Sequence, residues 1–332
     1  MSLRCGFRLL ILVATVSLGM TSEAWADQTP GCQLARVASL PVVMKHNRIL
    51  VGGALNGQEV RFQIDTGAQY TILFKSAAAA LDLSQFDIVG KHIYAIGGEV
   101  AVREALVETL TLGKWSAHDW RATVAGDSPM WVAEKIAGLL GEDFFHNFDV
   151  EFDLAHQVIN LYQANHCDEA SLGFWPGNIV VAEISRGGIN RSVIEVMPEI
   201  NGSRMRALVD SGADVTLLAT SAASRVGVSP DSPGVETAAA GRGVGAKSVA
   251  AWIGTFDSFR LGDETIRNAR LRFADFSKDA KTERTGSRIA EEMIPYDLLL
   301  GADFLASHHV LISHSQGKMY FSHNGGPVFQ TD

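Results

Sequence analysis

The chain repeats itself, and no other feature narrows its fold as much. Residues 53–68 read Gly-Ala-Leu-Asn-Gly-Gln-Glu-Val-Arg-Phe-Gln-Ile-Asp-Thr-Gly-Ala, and residues 198–213 read Pro-Glu-Ile-Asn-Gly-Ser-Arg-Met-Arg-Ala-Leu-Val-Asp-Ser-Gly-Ala. An Asn-Gly pair precedes Asp65 and Asp210 by the same spacing, and a Thr-apolar-apolar stretch follows each, Thr71-Ile72-Leu73 and Thr216-Leu217-Leu218. Downstream, Leu110-Thr111-Leu112-Gly113 answers Phe259-Arg260-Leu261-Gly262, and Leu139-Leu140-Gly141-Glu142-Asp143-Phe144 answers Leu299-Leu300-Gly301-Ala302-Asp303-Phe304. Each half closes on an alternating apolar strand, near Val158–Leu161 and Met319–Phe321. Order and spacing hold throughout, apart from a longer second half near 278–292, so the chain is a duplication of one structural unit.

Turn chemistry sets the local structure. Asn-Gly between apolar runs favours a two-residue hairpin turn, because both central residues need positive φ. Asn56-Gly57 and Asn201-Gly202 should each close a hairpin whose second strand runs into the Asp-Thr/Ser-Gly turn. Most other segments read as short strands broken by Gly, with single short helices at 77–81 and 221–226. The stretch 163–190, rich in Gly, Pro and Asn, reads as a linker. This gives a first lobe at 45–162, a second at 191–324, and a spacer at 27–44. Residues 27–36 fit either a spacer or part of an edge strand.

Two aspartates in equivalent turns suggest a chemistry. Hydrolysis of a peptide without metal or covalent intermediate needs one group to deprotonate water and another to protonate the carbonyl oxygen. Two carboxyls about 3 Å apart serve both needs, since they share one proton. Asp65 and Asp210 are the candidate dyad. Gly67 and Gly212 permit a tight turn with N–H groups near the carboxylates, and the Thr66 and Ser211 hydroxyls can bond across to the opposite loop. Ala68 and Ala213 complete the two turns.

The paired Asp-Thr/Ser-Gly-Ala, each followed by apolar-apolar-Gly, resembles the pepsin and retropepsin superfamily of aspartic proteases, most nearly the bacterial secreted retropepsin-like proteins. The resemblance covers roughly 45–162 and 190–322. It implies an all-β fold of two retropepsin-like (acid protease) β-barrel lobes forming an intrachain pseudo-dimer, with Leu139-Leu140-Gly141 and Leu299-Leu300-Gly301 buttressing Asp65 and Asp210. It also implies Gly-rich flaps over the cleft, at Tyr94, Ile96, Gly97 and Gly98 in the first half and at Gly243 and Val244 in the second. Plain hairpin turns without substrate contact are the competing reading of these segments. The implied activity is that of an aspartic endopeptidase acting on a polypeptide substrate without cofactor.

The remaining signals concern compartment and partners. Arg4 and Arg8 precede an apolar run, and Ala24-Trp25-Ala26 before Asp27 has the form of a signal-peptidase site. The run is shorter than the roughly 20 residues that span a bilayer, so a signal cleaved after Ala26 is favoured over an anchor, placing the mature chain in the periplasm or medium without stable membrane insertion. Of three cysteines, Cys5 lies inside the signal, which leaves Cys32 and Cys167 as a disulfide or as two separate thiols. The formal net charge of −9 argues against a nucleic-acid binder. Ten histidines lack metal-ligand spacing, and the adjacent His308 and His309 point to opposite faces of a strand. Gly241–Gly245 lacks the setting of a dinucleotide fingerprint, and Asn201-Gly202-Ser203, a glycosylation pattern, is already explained by its turn. The alternatives in function are a non-catalytic peptide-binding module and a glycosidase, whose two carboxylates stand farther apart. In assembly, a monomer is expected, with pairing of halves between chains as the alternative.

Overall fold

The structure is a computed structural model of the 332-residue chain, and it describes residues 31–95, 98–127, 130–186, 193–242, 248–276, 283–284, 290–291 and 296–330. The expected signal, 1–26, lies outside them.

The first lobe opens with β1 (Gln33–Lys45), β2 (Arg48–Leu55) and β3 (Gln58–Ile64). Asn56 and Gly57 join β2 to β3 with φ of 49° and 79°, the positive values their sequence calls for. Asn201 and Gly202 repeat the turn at 49° and 76°. Then follow β4 (Ile72–Leu73), β5 (Gln85–Ala95), β6 (Gly98–Leu112), β7 (Trp115–Ala125), β8 (Ile136–Leu140), β9 (Asp149–Asp153) and β10 (Val158–Asn165). Short helices lie at Lys75–Ala80 and Thr220–Arg225, close to the positions expected.

The arrangement around each aspartate is the same. β8 runs parallel to β3, pairing Ile64 with Leu140, while β4 pairs antiparallel to β8. In the second lobe Leu298–Leu300 runs parallel to Ala207–Val209, and Leu217–Ala219 crosses it in the same way. The apolar triplet preceding each glycine is thus an interior strand, which explains its continuous hydrophobicity. Phe62, Ile64, Leu140, Val209 and Leu300 are all fully buried.

Two boundaries differ from the sequence reading. Most of the segment taken as a spacer is β1, which pairs with β10 through its first part and with β2 through Val42–Lys45. Inside the expected linker, β11 (Val180–Glu183) pairs with Lys318–Phe321. The two strands are equivalents, each flanking the closing strand of its own lobe. They escaped notice because the copies share only apolar alternation, Ala38-x-Leu40 against Val180-x-Ala182, and no motif residue.

These strands build the joint between the lobes. The order β11, Lys318–His323, His308–Ser313, β9, β10, β1 forms one continuous sheet. At its centre Val310 pairs with Phe152, Leu311 with Glu151 and Ile312 with Val150. The repeat that aligns Gly141 with Gly301 also aligns Glu151 with Leu311, so the pseudo-twofold axis passes through this pair. The two all-β lobes are therefore joined by backbone hydrogen bonds. Cys32 and Cys167 are disulfide-bonded, tying the start of β1 to the chain just beyond β10.

Candidate active site

Each aspartate is first positioned by its backbone. The N–H of Asp65 donates to Leu140 O and that of Asp210 to Leu300 O, both at 2.9 Å. Each turn closes when an alanine N–H returns to the aspartate carbonyl, Ala68 to Asp65 and Ala213 to Asp210, at 3.2 Å in both lobes. The carboxylates are held by the same turns. Asp65 Oδ1 accepts from the Ala68 N–H at 2.9 Å, and Asp210 Oδ1 accepts from Gly212 at 3.0 Å and Ala213 at 3.1 Å.

The two turns are then locked to one another. The Thr66 N–H donates to Ser211 Oγ and the Ser211 N–H to Thr66 Oγ1, each at 3.0 Å, while the Thr66 hydroxyl donates to Val209 O at 2.7 Å. Gln63 Nε2 adds a bond to Gly212 O at 3.1 Å. Thr66 and Ser211 are almost completely buried, so these bonds form away from competing water. The glycines bring the carboxyls together. A Cβ on Gly67 would lie 2.5 Å from Asp210 Cγ, and one on Gly212 would lie 2.3 Å from Asp65 Cγ. Each carboxyl therefore rests on the glycine of the opposite turn, and the two carboxyls hydrogen-bond to each other.

Compared with known protein families, residues 51–144 and 196–304 match the family described as aspartyl protease. The chain belongs to this family. No curated protein matches it. The two matched stretches are the two halves of the duplication, and each spans one Asp-Thr/Ser-Gly turn and one apolar-Gly segment of the aspartyl protease fold.

Burial raises both carboxyls above the usual carboxylate range. In Asp65 the effect is large, and the neighbouring Asp210 charge adds to it. In Asp210, burial is offset by the Ala213 and Gly212 N–H groups and by the bond from Asp65, while the charge of Asp214 pushes upward. Both carboxyls are thus raised and share a proton between them. The pair titrates as a unit.

Asp214 was not singled out from the sequence. It stands where the first half has Gln69, and that departure from the repeat was the available signal. Its own carboxyl is raised by burial and drawn back by Arg48 and His46 of the first lobe.

Behind each turn sits a second carboxylate. Asp143 Oδ1 accepts from the Thr71 N–H at 2.7 Å and its hydroxyl at 2.6 Å, and Thr71 Oγ1 in turn accepts from the Gly141 N–H at 2.9 Å. Asp303, Thr216 and Gly301 repeat this at 2.8, 2.7 and 3.0 Å. These aspartates brace the loop. His308 is fully buried, stacking on Phe304 and lying 3.0 Å from Glu264, while His309 faces the other way, onto Glu151 and Trp175. Both are structural. Among the described residues no cluster of three or more His, Cys, Asp or Glu side chains could hold a metal.

The expected flaps are described in part. β5 and β6 form a hairpin in which Tyr94 pairs with Glu99 and Ala95 with Gly98, whereas Ile96 and Gly97 at its tip lie outside the described residues. In the second lobe Gly241 pairs with Val249 and Arg242 with Ser248, and Gly243 and Val244 lie outside the described residues.

Proposed function

We propose that this protein is an aspartic endopeptidase in which Asp65 and Asp210 activate water against a peptide carbonyl. The supporting observation is the contact of two mutually hydrogen-bonded carboxyls, Asp210 buried and Asp65 partly so, each seated on the other's glycine. In the monoprotonated dyad, the ionised carboxylate takes a proton from water as its oxygen adds to the carbonyl carbon, and the protonated carboxyl gives its proton to the carbonyl oxygen. When the tetrahedral diol collapses, the C–N bond breaks, the amine takes the proton of the protonated carboxyl, and a diol hydroxyl gives its proton to the ionised carboxylate, so the dyad holds one proton throughout. The backbone N–H groups of Ala68, Gly212 and Ala213 hold the carboxylate oxygens, and the Thr66–Ser211 lock keeps the two acids in register. No step calls for a metal or organic cofactor.

The substrate we propose is a polypeptide bound extended in the cleft between the lobes. Main-chain pairing with hairpins such as β5–β6 would supply affinity, and alternating pockets selectivity. We also propose export to the periplasm or medium with the signal removed after Ala26, a reading supported by the disulfide, since such bonds persist in oxidising compartments.

The test is cleavage of a diverse peptide mixture by the mature chain from about pH 3 to about pH 8, beside Asp65→Asn and Asp210→Asn. Cleavage by the parent and by neither variant is the expected result. A folded parent that captures peptides and cuts none would replace the enzyme with a binding module.

A further inference from the structure

The pseudo-twofold relates a filled site in the second lobe to an open one in the first. In the second lobe the C-terminal tail folds back over the barrel. Phe329 packs edge-on against Phe259 with ring centroids 5.0 Å apart, Val328 is buried, and the Gln330 N–H donates to Asp303 Oδ2 at 3.2 Å. The repeat aligns Phe259 with Leu110, Asp303 with Asp143 and Phe304 with Phe144. In the first lobe those three equivalents line a cavity of about 360 Å³, walled also by Trp115, Trp120 and Phe148.

The two sites differ because the chain leaves their closing strands differently. After Lys318–His323 it crosses Phe259, whereas after β10 it runs into the Cys32–Cys167 disulfide, and none of residues 164–170 lines the cavity. Where the second lobe has Glu264 bonded to His308, the first has Trp115 and Phe148, both packed on Phe144 at centroid distances of 5.0 and 5.6 Å. Asp303 is completely buried, while Asp143 is only partly so.

We propose that this first-lobe cavity is a docking site for an extended segment of a partner polypeptide carrying an aromatic side chain. The aromatic ring takes the place that Phe329 has in the other lobe, and the N–H of the following residue donates to Asp143 as Gln330 does to Asp303. The volume is within the range of small-ligand pockets, and its lining is mostly aromatic and aliphatic with a few polar groups, Asp143, Thr71 and Asn147, the composition such pockets show. The protein's own tail is already seated on the second lobe, so the occupant is another chain. The dyad carboxyls are not among its lining residues, although Thr71, Leu140 and Asp143 of the frame behind the Asp65 turn are.

The probe is the octapeptide Gly-Gly-Pro-Val-Phe-Gln-Thr-Asp, which copies the tail, titrated against the full mature protein while the indole N–H resonances of Trp115 and Trp120 are followed by NMR. We expect saturable shifts of both resonances, and at least about tenfold weaker binding when the peptide's Phe becomes Ala, as loss of a buried phenyl ring requires. This arm uses unmodified protein and does not depend on any variant folding. Ala117→Trp, which fills the cavity, should abolish the shifts while leaving peptide cleavage unchanged. Absence of saturable shifts, equal binding of the Ala peptide, or binding by Ala117→Trp at parental strength would each overturn the proposal. Dimerisation of the protein that disappears on removal of residues 325–332 would also overturn it, assigning the cavity to a second copy.

Discussion

In the first lobe Thr71 braces Asp143 and Gly141, and in the second Thr216 braces Asp303 and Gly301, with bond lengths that agree closely. Away from that frame the lobes diverge. Gly138 in β8 lies so near β4 that a Cβ there would fall 1.9 Å from Ile72 O, yet its second-lobe equivalent is Leu298, fully buried. The Asp303 carboxylate takes a further N–H from the C-terminal tail, and the cavity beside Asp143 stays open. A duplicated chain retains what both copies need at the axis and is free to repack wherever only one copy is involved.

The symmetry of the dyad is the first thing to break. Asp65→Asn and Asp210→Asn should each lower kcat by about 10²–10⁴-fold, the usual contribution of acid–base catalysis. A variant retaining a sizeable fraction of parental activity would show that the two turns are not chemically equivalent.

Next in size are exchanges between the lobes. Gly138→Leu, which copies the second lobe, should cost about 3 kcal/mol or more, because backbone must shift to admit it. Leu298→Gly should cost about 3–5 kcal/mol by leaving a cavity. Denaturant unfolding measures both, and a tolerated Gly138→Leu would mean that β4 and β8 are less tightly apposed than described.

A smaller contrast separates the two bracing carboxylates. Asp303→Ala removes acceptors for the N–H groups of Thr216, Phe304 and Gln330 and for the Thr216 hydroxyl, and should destabilise by about 2–3 kcal/mol. Asp143→Ala, at a partly exposed site with fewer donors, should cost about 1–2 kcal/mol. Equal costs would remove the tail from the account.

The smallest effect is one of pH. Asp65 is raised in the folded protein, so the folded state binds more protons than the unfolded one above the ordinary carboxylate range, and stability falls as pH rises through that window. Asp65→Asn eliminates this loss. Its Tm should exceed the parent's above the ordinary carboxylate range, with the advantage vanishing by about pH 3, where the parental carboxyl is protonated in both states. An advantage independent of pH would point to packing rather than charge.

Much of this was legible in the residues. The repeat exposed two lobes, Asn-Gly marked both hairpins, and Asp-Thr/Ser-Gly-Ala marked the dyad with its neighbours, because each depends on local backbone requirements that leave few residue choices. β1 and β11 were missed as lobe strands because alternation alone does not say where a strand pairs. Asp214 shows only a departure from the repeat along the chain, and its surroundings come from the fold, which brings Arg48 and His46 of the other lobe toward it.

The sequence by itself determined the duplication, the all-β class, the two turns and the segments that brace them, since hairpin and turn conformations are encoded over a few neighbouring residues. Only the tertiary structure decided the rest. It placed Glu151 opposite Leu311 on the axis, seated each aspartate on the other's glycine, and left one cavity open where its twin is filled. The axis and the dyad join groups more than a hundred residues apart along the chain and the two cavities groups tens of residues apart, meetings set by how the sheets fold and join rather than by any local preference.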